Sequence, residues 1–262
     1  MERGINLKRI VITVLLAYMV ILMPGFASAK VQIPSSVYNI EKENTATNVS
    51  IDDVSVEPNA LAKKLIKTSN VKIENPSLVQ LLNETQISKN PVAFWYRAKI
   101  FLGKWPLNYQ SEETKMNWEY EKINTNVVDN RGGTATAVLN YNQQTNKSVK
   151  GQISPDVSKN GDTENMILGK VVTQTGLPAD LEAKVGGGTK KENRYQVPIQ
   201  KIGLMNAYIP AVLDKGKVTY GEVYLVLKGG NRSIEVKNIT TQRVSAWFPI
   251  QDHVSLKLQT SN

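Results

Sequence analysis

The chain has 262 residues and no cysteine. That excludes disulfides, thiolate metal sites, dithiol redox chemistry and a cysteine nucleophile, and it removes the attachment point a bacterial lipoprotein needs. Histidine is nearly absent as well, since His253 is the only one. A metal centre built on two or more histidines is therefore out of reach, and a Ser–His–acid triad would have a single candidate base. No G-x-S-x-G elbow points to a partner serine, and no D-x-[DN]-x-[DN]-G calcium loop occurs. Gly186-Gly187-Gly188-Thr189-Lys190-Lys191 is superficially like a phosphate loop. Such a loop needs Gly-Lys-Ser/Thr leading into an apolar helix, and here the threonine precedes the lysines and polar residues follow. It reads as a flexible surface loop.

Long hydrophobic runs are scarce too, and the one present lies at the N-terminus. Arg3, Lys8 and Arg9 precede the uncharged run from Ile10 to Met23, Pro24-Gly25 interrupts it, and Ala27-Ser28-Ala29 follows. A basic start, a short apolar stretch and small residues two positions apart make up a secretory signal, with cleavage expected between Ala29 and Lys30. A spanning helix needs about 20 apolar residues, and Ile10–Met23 falls short of that unless the count crosses Pro24-Gly25, so an uncleaved anchor is the alternative reading. The precursor carries 32 basic and 23 acidic side chains, a net +9. Removing residues 1–29 leaves 29 basic and 22 acidic side chains, or +7.

Hydrophobic residues make up 41% of the chain, enough for a packed core. Residues 30–56 are polar and aperiodic and read as an extended arm. Two short helices follow. Glu57-Pro58-Asn59 precedes Leu61, Leu65 and Ile66, and Asn75-Pro76 is a cap and first-turn proline before Leu78, Leu81 and Leu82. From Lys89 onward the pattern has period two. Met116, Trp118 and Tyr120 alternate with polar neighbours, and strands are expected over Ala135–Tyr141, Ser148–Ile153, Met166–Thr173 and Tyr195–Ile202. Glu222–Lys228 turns through Gly229-Gly230-Asn231 into Ser233–Ile239, and Val254, Leu256 and Leu258 mark a one-sided final strand with His253 on its exposed side. The expectation is a mainly β fold with a minor α part: an antiparallel β-sandwich or open barrel with two short N-terminal helices. Residues 57–262 form one β-rich domain in this reading.

The densest chemical feature runs from Phe94 to Tyr109 and continues to Trp118 and Tyr120. A ligand platform built on it would use Trp95, Arg97, Lys99, Lys104, Trp105, Tyr109, Trp118 and Tyr120, because aromatic faces stack on sugars and cations bind phosphate or carboxylate. The competing reading is that these aromatics are sheet core. Glu119 and Glu121 lie on one strand face about 7 Å apart by the strand rise, which reads as a solvated face rather than a hydrolase pair from opposite cleft walls. Polyanion contacts are expected at Lys190, Lys191 and Arg194. No catalytic residue, metal ligand or cofactor is assigned, and no nucleic-acid motif occurs.

The signal, the segment from Phe94 to Tyr109, Trp118-Glu119-Tyr120 and the Arg131-Gly132-Gly133 turn together make the chain resemble the YfkD-like proteins, a family of uncharacterised secreted proteins from bacilli and relatives. The resemblance implies a host type and a compartment outside the membrane, and assigns no residue a role. The expected function is an exported, non-enzymatic envelope protein associating with anionic wall polymer or the membrane surface. The alternatives are a carbohydrate-binding module or carboxylate glycan hydrolase using residues 94–120, and a spore or cell-surface assembly component.

Overall fold

The computed structural model describes residues 31–48, 56–85 and 97–262, apart from the side chains of Asn193 and Arg194. The fold is mainly β. In chain order the elements are β1 (Val37–Asn39), α1 (Ala60–Ile66), α2 (Pro76–Glu84), β2 (Arg97–Asp129), β3 (Ala137–Asn142), β4 (Lys147–Lys150), β5 (Gln152–Ser154), α3 (Asn160–Thr175), β6 (Glu182–Val185), β7 (Lys190–Val197), β8 (Ile202–Lys228), β9 (Asn231–Pro249) and β10 (His253–Ser261).

One strand organises the rest. β8 runs 27 residues, about 90 Å of contour at the usual strand rise. Along one edge it pairs antiparallel with β2 over its whole length. Along the other it pairs first with β10, through Tyr208, and then with β9 from Ala211 onward. β1 extends the sheet beyond β10 and β5 beyond β9, and two separate two-stranded sheets, β3–β7 and β4–β6, complete the strands. The sheets are open, and among the described residues every pairing is antiparallel.

Three apolar cores are strung along β8. Met205, Ala207 and Ile209 enter a first core closed by Tyr141, Val149, Val185 and Val197 of the small sheets. Val212, Val218 and Tyr220 enter a second, closed by Ile167, Leu168 and Val171 of α3. Val223 and Leu225 enter a third with Leu65, Leu78 and Leu82 of α1 and α2. The buried positions change from odd to even and back to odd. Strand alternation therefore places the first and third cores on one face of β8 and the second on the other. Irregularities sit at these changeovers. Asn117 pairs with Ala211 and Glu121 with Ile209, so β2 bulges through residues 118–120 opposite Pro210. A proline has no N–H for the ladder, and the bulge relieves the partner strand of a bond it cannot make.

The two early helices form where their caps predict. The Asn59 side chain accepts from the backbone N–H of Leu61 and Ala62, and Asn75 accepts from Leu78 with Pro76 in the first turn. The Gly229-Gly230 turn takes positive φ at both glycines (+55° and +85°) and joins β8 to β9, a conformation a two-residue hairpin turn requires.

Several local expectations need correcting. Met166–Thr173 is not a strand but the middle of α3, whose Thr163, Ile167, Val171 and Thr175 recur every fourth residue and are buried. Its β-branched residues suit either structure, and docking on Val212 and Val218 decides for the helix. Ser148–Ile153 is split between β4 and β5 at Gly151, where an added Cβ would lie 2.8 Å from the Trp247 carbonyl oxygen. Tyr195–Ile202 is likewise broken after Val197, with Gln200 at φ +62° in the turn. His253 is not exposed: it is buried, with Nδ1 2.7 Å from the Gln251 carbonyl oxygen. Gly186–Thr189 is not a free loop either. Gly186 packs so closely on Thr45 that a Cβ would meet its Oγ1 at 2.0 Å, and Thr189 is fully buried.

The described part of the N-terminal arm is bound in place. Ile40 is fully buried in the first core. The Asn44 and Asn48 amides both donate to the Lys184 carbonyl and to an Asp252 carboxylate oxygen at 2.8–3.0 Å.

Candidate functional site

Past α3, the distal end of the β2–β8–β9 sheet presents a charged and aromatic face. Register fixes its four rungs: Arg97–Lys228–Asn231, Lys99–Val226–Ser233, Phe101–Tyr224–Glu235 and Lys104–Glu222–Lys237. Their neighbours on the strands, Val223, Leu225, Ile234 and Val236, point the other way into the third core. Alternation thus forces the charged residues outward together. A bulge at Leu102, with Gly103 at φ +114°, shifts β2 by one residue and brings Lys104 onto the same face as Lys99.

Among the described residues, five cations and two carboxylates share this face. Lys99 Nζ lies 2.6 Å from Glu235 and 4.5 Å from the centre of the Tyr224 ring. Lys237 approaches the other Glu235 oxygen at 3.4 Å. The Lys99 hydrogen bond and both lysine charges hold the Glu235 carboxyl below its usual range. Glu222 accepts from the Tyr224 hydroxyl at 2.8 Å. Its carboxyl is also lowered, first by a hydrogen bond from Asn238, then by Tyr224, and further by Lys104 and Lys237. Both carboxylates stay ionised and internally engaged. Phe101 lies against Tyr224 with ring centres 5.2 Å apart and is 56% exposed, the most exposed of the large hydrophobic side chains among the described residues.

The other anticipated platform residues go elsewhere. Trp95 lies outside the described residues. Trp105 is half-buried against the third core, donates its indole N–H to the Leu102 carbonyl at 2.9 Å, and holds Lys159 Nζ over its ring. Tyr109 is buried and its hydroxyl donates to Asp214. Trp118 packs on the second core, and Tyr120 stacks on Trp247 with ring centres 5.0 Å apart. The structure brings together Arg97, Lys99 and Lys104 and separates them from Tyr109, Trp118 and Tyr120. Phe101 and Tyr224, the aromatic pair actually on the face, come from strands whose contact only the register of β2 on β8 reveals.

Of the anticipated polyanion contacts, Lys190 is exposed on β7 and Lys191 is paired with Glu43 at 2.6 Å. The Arg194 side chain and the cleavage residues Ala27, Ala29 and Lys30 lie outside the described residues. Glu119 is held by Lys257 at 2.9 Å. Among the described residues no group of three or more His, Asp or Glu side chains could hold a metal ion.

Comparison with known proteins places the chain in a family. A crystal structure of Lamprey immune protein aligns with 63% of this chain and 53% of its own length, at a TM-score of 0.27 and 8% identity, too slight a likeness to inform the fold. The uncharacterized protein YfkD of Bacillus subtilis (strain 168) is 50% identical over 239 residues, 91% of this chain and 90% of that protein. Residues 34–262 match the model of the YfkD-like protein family, so that all but the N-terminal segment is accounted for and the chain belongs to the YfkD-like family.

Proposed function

We propose that the protein is a non-enzymatic component of the cell envelope, exported by its N-terminal segment and held at an anionic surface by its excess of cations. The observation that carries this reading is the distal sheet face, where five basic side chains stand against two carboxylates that are already engaged with lysine, tyrosine or asparagine. The whole chain shares the bias, with 32 basic and 23 acidic side chains. Outside the membrane the polyanions available to such a surface are wall polymers and lipid headgroups. Carboxylates elsewhere are also occupied: Glu112 with Lys217, Glu113 with Lys115 and Lys215, and Glu119 with Lys257.

The test is sedimentation of the purified protein with wall preparations and with anionic vesicles across a salt series. Binding is expected at low salt and falls steeply as ionic strength rises. Absence of binding to both at low salt overturns the proposal. Export is tested separately by N-terminal sequencing of protein recovered outside the membrane. A mature chain beginning at Lys30 supports cleavage, whereas recovery of membrane-held protein still carrying Ile10–Met23 supports the anchor instead.

A further inference from the structure

We infer that the distal β2–β8–β9 face docks on an anionic lipid bilayer, with Phe101 seated at headgroup depth. This rests on the envelope reading above and narrows it to one surface and one partner.

The argument begins with Phe101. It is 56% exposed, and it lies against Tyr224 rather than beneath it. An exposed phenylalanine gains nothing from a hydrated polyanion. It gains apolar contact by entering the interface of a bilayer, where aromatic rings are enriched. The charges around it complement anionic headgroups. Lys99 stands in the rung beside Phe101, and Arg97 and Lys228 form the next rung toward the tip. Glu235 and Glu222 do not cancel this field fully, because five cations share the face with them and both carboxylates are internally hydrogen-bonded. The tip also permits approach. Gly229 and Gly230 form the turn without side chains to hold the sheet away from a flat surface. Long lysine stems can lie along the sheet and extend their ammonium groups to phosphate oxygens while the ring enters. A soluble wall polymer would use the cations alone, and removing the ring would then change nothing.

The absence of native cysteine makes a site-resolved test available. Asn231→Cys places a single thiol on the exposed tip of this face, and Glu192→Cys places one on β7 as a control. Each variant of the full chain is labelled with an environment-sensitive fluorophore. Each is mixed with vesicles of phosphatidylcholine alone, with vesicles containing one third phosphatidylglycerol, and with soluble polyphosphate. The expected result is a blue shift at position 231 on the phosphatidylglycerol vesicles only, with position 192 unchanged. In the labelled Asn231→Cys background, Phe101→Ser should weaken the response roughly tenfold, and Lys99→Gln or Lys228→Gln roughly fivefold each. Unchanged melting curves would show these surface variants still fold.

Co-flotation with vesicles while position 231 stays unshifted would mean another segment binds, such as Ile10–Met23. That overturns the face assignment and leaves the envelope reading standing. An equal shift on phosphatidylcholine, or no loss in Phe101→Ser, also overturns it. Failure to bind both anionic vesicles and wall preparations overturns the two readings together.

Discussion

Asp214 is fully buried and accepts hydrogen bonds from the hydroxyls of Tyr109, Ser111 at 2.9 Å and Thr114 at 2.5 Å. A buried carboxylate survives only when its lone pairs are occupied, and here three hydroxyls from the adjacent strand do that. Asp214→Ala would strand the Tyr109 hydroxyl without an acceptor and should cost about 3 kcal/mol in denaturant unfolding. Asp214→Asn, which keeps an acceptor, should cost clearly less. The Tyr109 hydroxyl is pushed far above the ordinary phenol range, by burial first and then by Asp214. It should therefore ionise in alkaline ultraviolet titration only when the protein unfolds. Asp180 shifts in the opposite sense to the surface carboxylates. Burial raises its carboxyl despite hydrogen bonds from the Leu181 and Glu182 backbone and from Gln251. A raised folded-state value means its contribution is complete below the unfolded value and is lost as pH climbs through the folded one. The melting temperature of Asp180→Asn relative to the parent should accordingly rise from acid to neutral pH. A difference that stays flat with pH would show the carboxyl is not perturbed.

At the scale of elements, capping was the most legible feature of the sequence. Asn59 and Asn75-Pro76 announce α1 and α2 because a cap and a first-turn proline act locally, whatever lies around them. Asn59→Ala should cost about 1 kcal/mol by thermal unfolding, with some added loss because the Asn59 side-chain amide also donates to the Asn83 carbonyl at 3.0 Å. The Gly229-Gly230 turn was legible for the same reason. α3 was not: Ile167, Leu168, Val171 and Val172 satisfy a strand pattern as readily as a helix, and only the second core, with Val212 and Val218 some forty residues later, selects one. The candidate face was half legible. Arg97, Lys99 and Lys104 are close in sequence, but their alignment depends on the Leu102 bulge, and Tyr224 joins them only through long-range register. The arm was the least legible element, since its anchoring relies on Asn44, Asn48 and Ile40, none part of a periodic pattern. Because Ile40 is fully buried, Ile40→Ala should lower stability by about 3 kcal/mol, a core-sized penalty from a segment whose composition suggests a loose tail.

For the whole molecule, β8 lends side chains to all three cores, two on one face and one on the other. No core can open fully without disturbing the strand that the next one needs. Cores separated along an ordinary chain often exchange their amide hydrogens at different rates because each opens alone. Here the amides of β8 from Met205 to Leu225 should instead exchange together, near the slowest rate in the protein, while α1 and the tip at Gly229-Gly230 exchange faster. A core-weakening change in α3, such as Ile167→Ala, should accelerate exchange at Met205 as well as at Val218. The same sharing constrains how the gene can vary. One codon gained or lost within β8 would turn every residue beyond it to the opposite face, so inherited length differences among relatives should fall in the turns at either end of this strand and not within it.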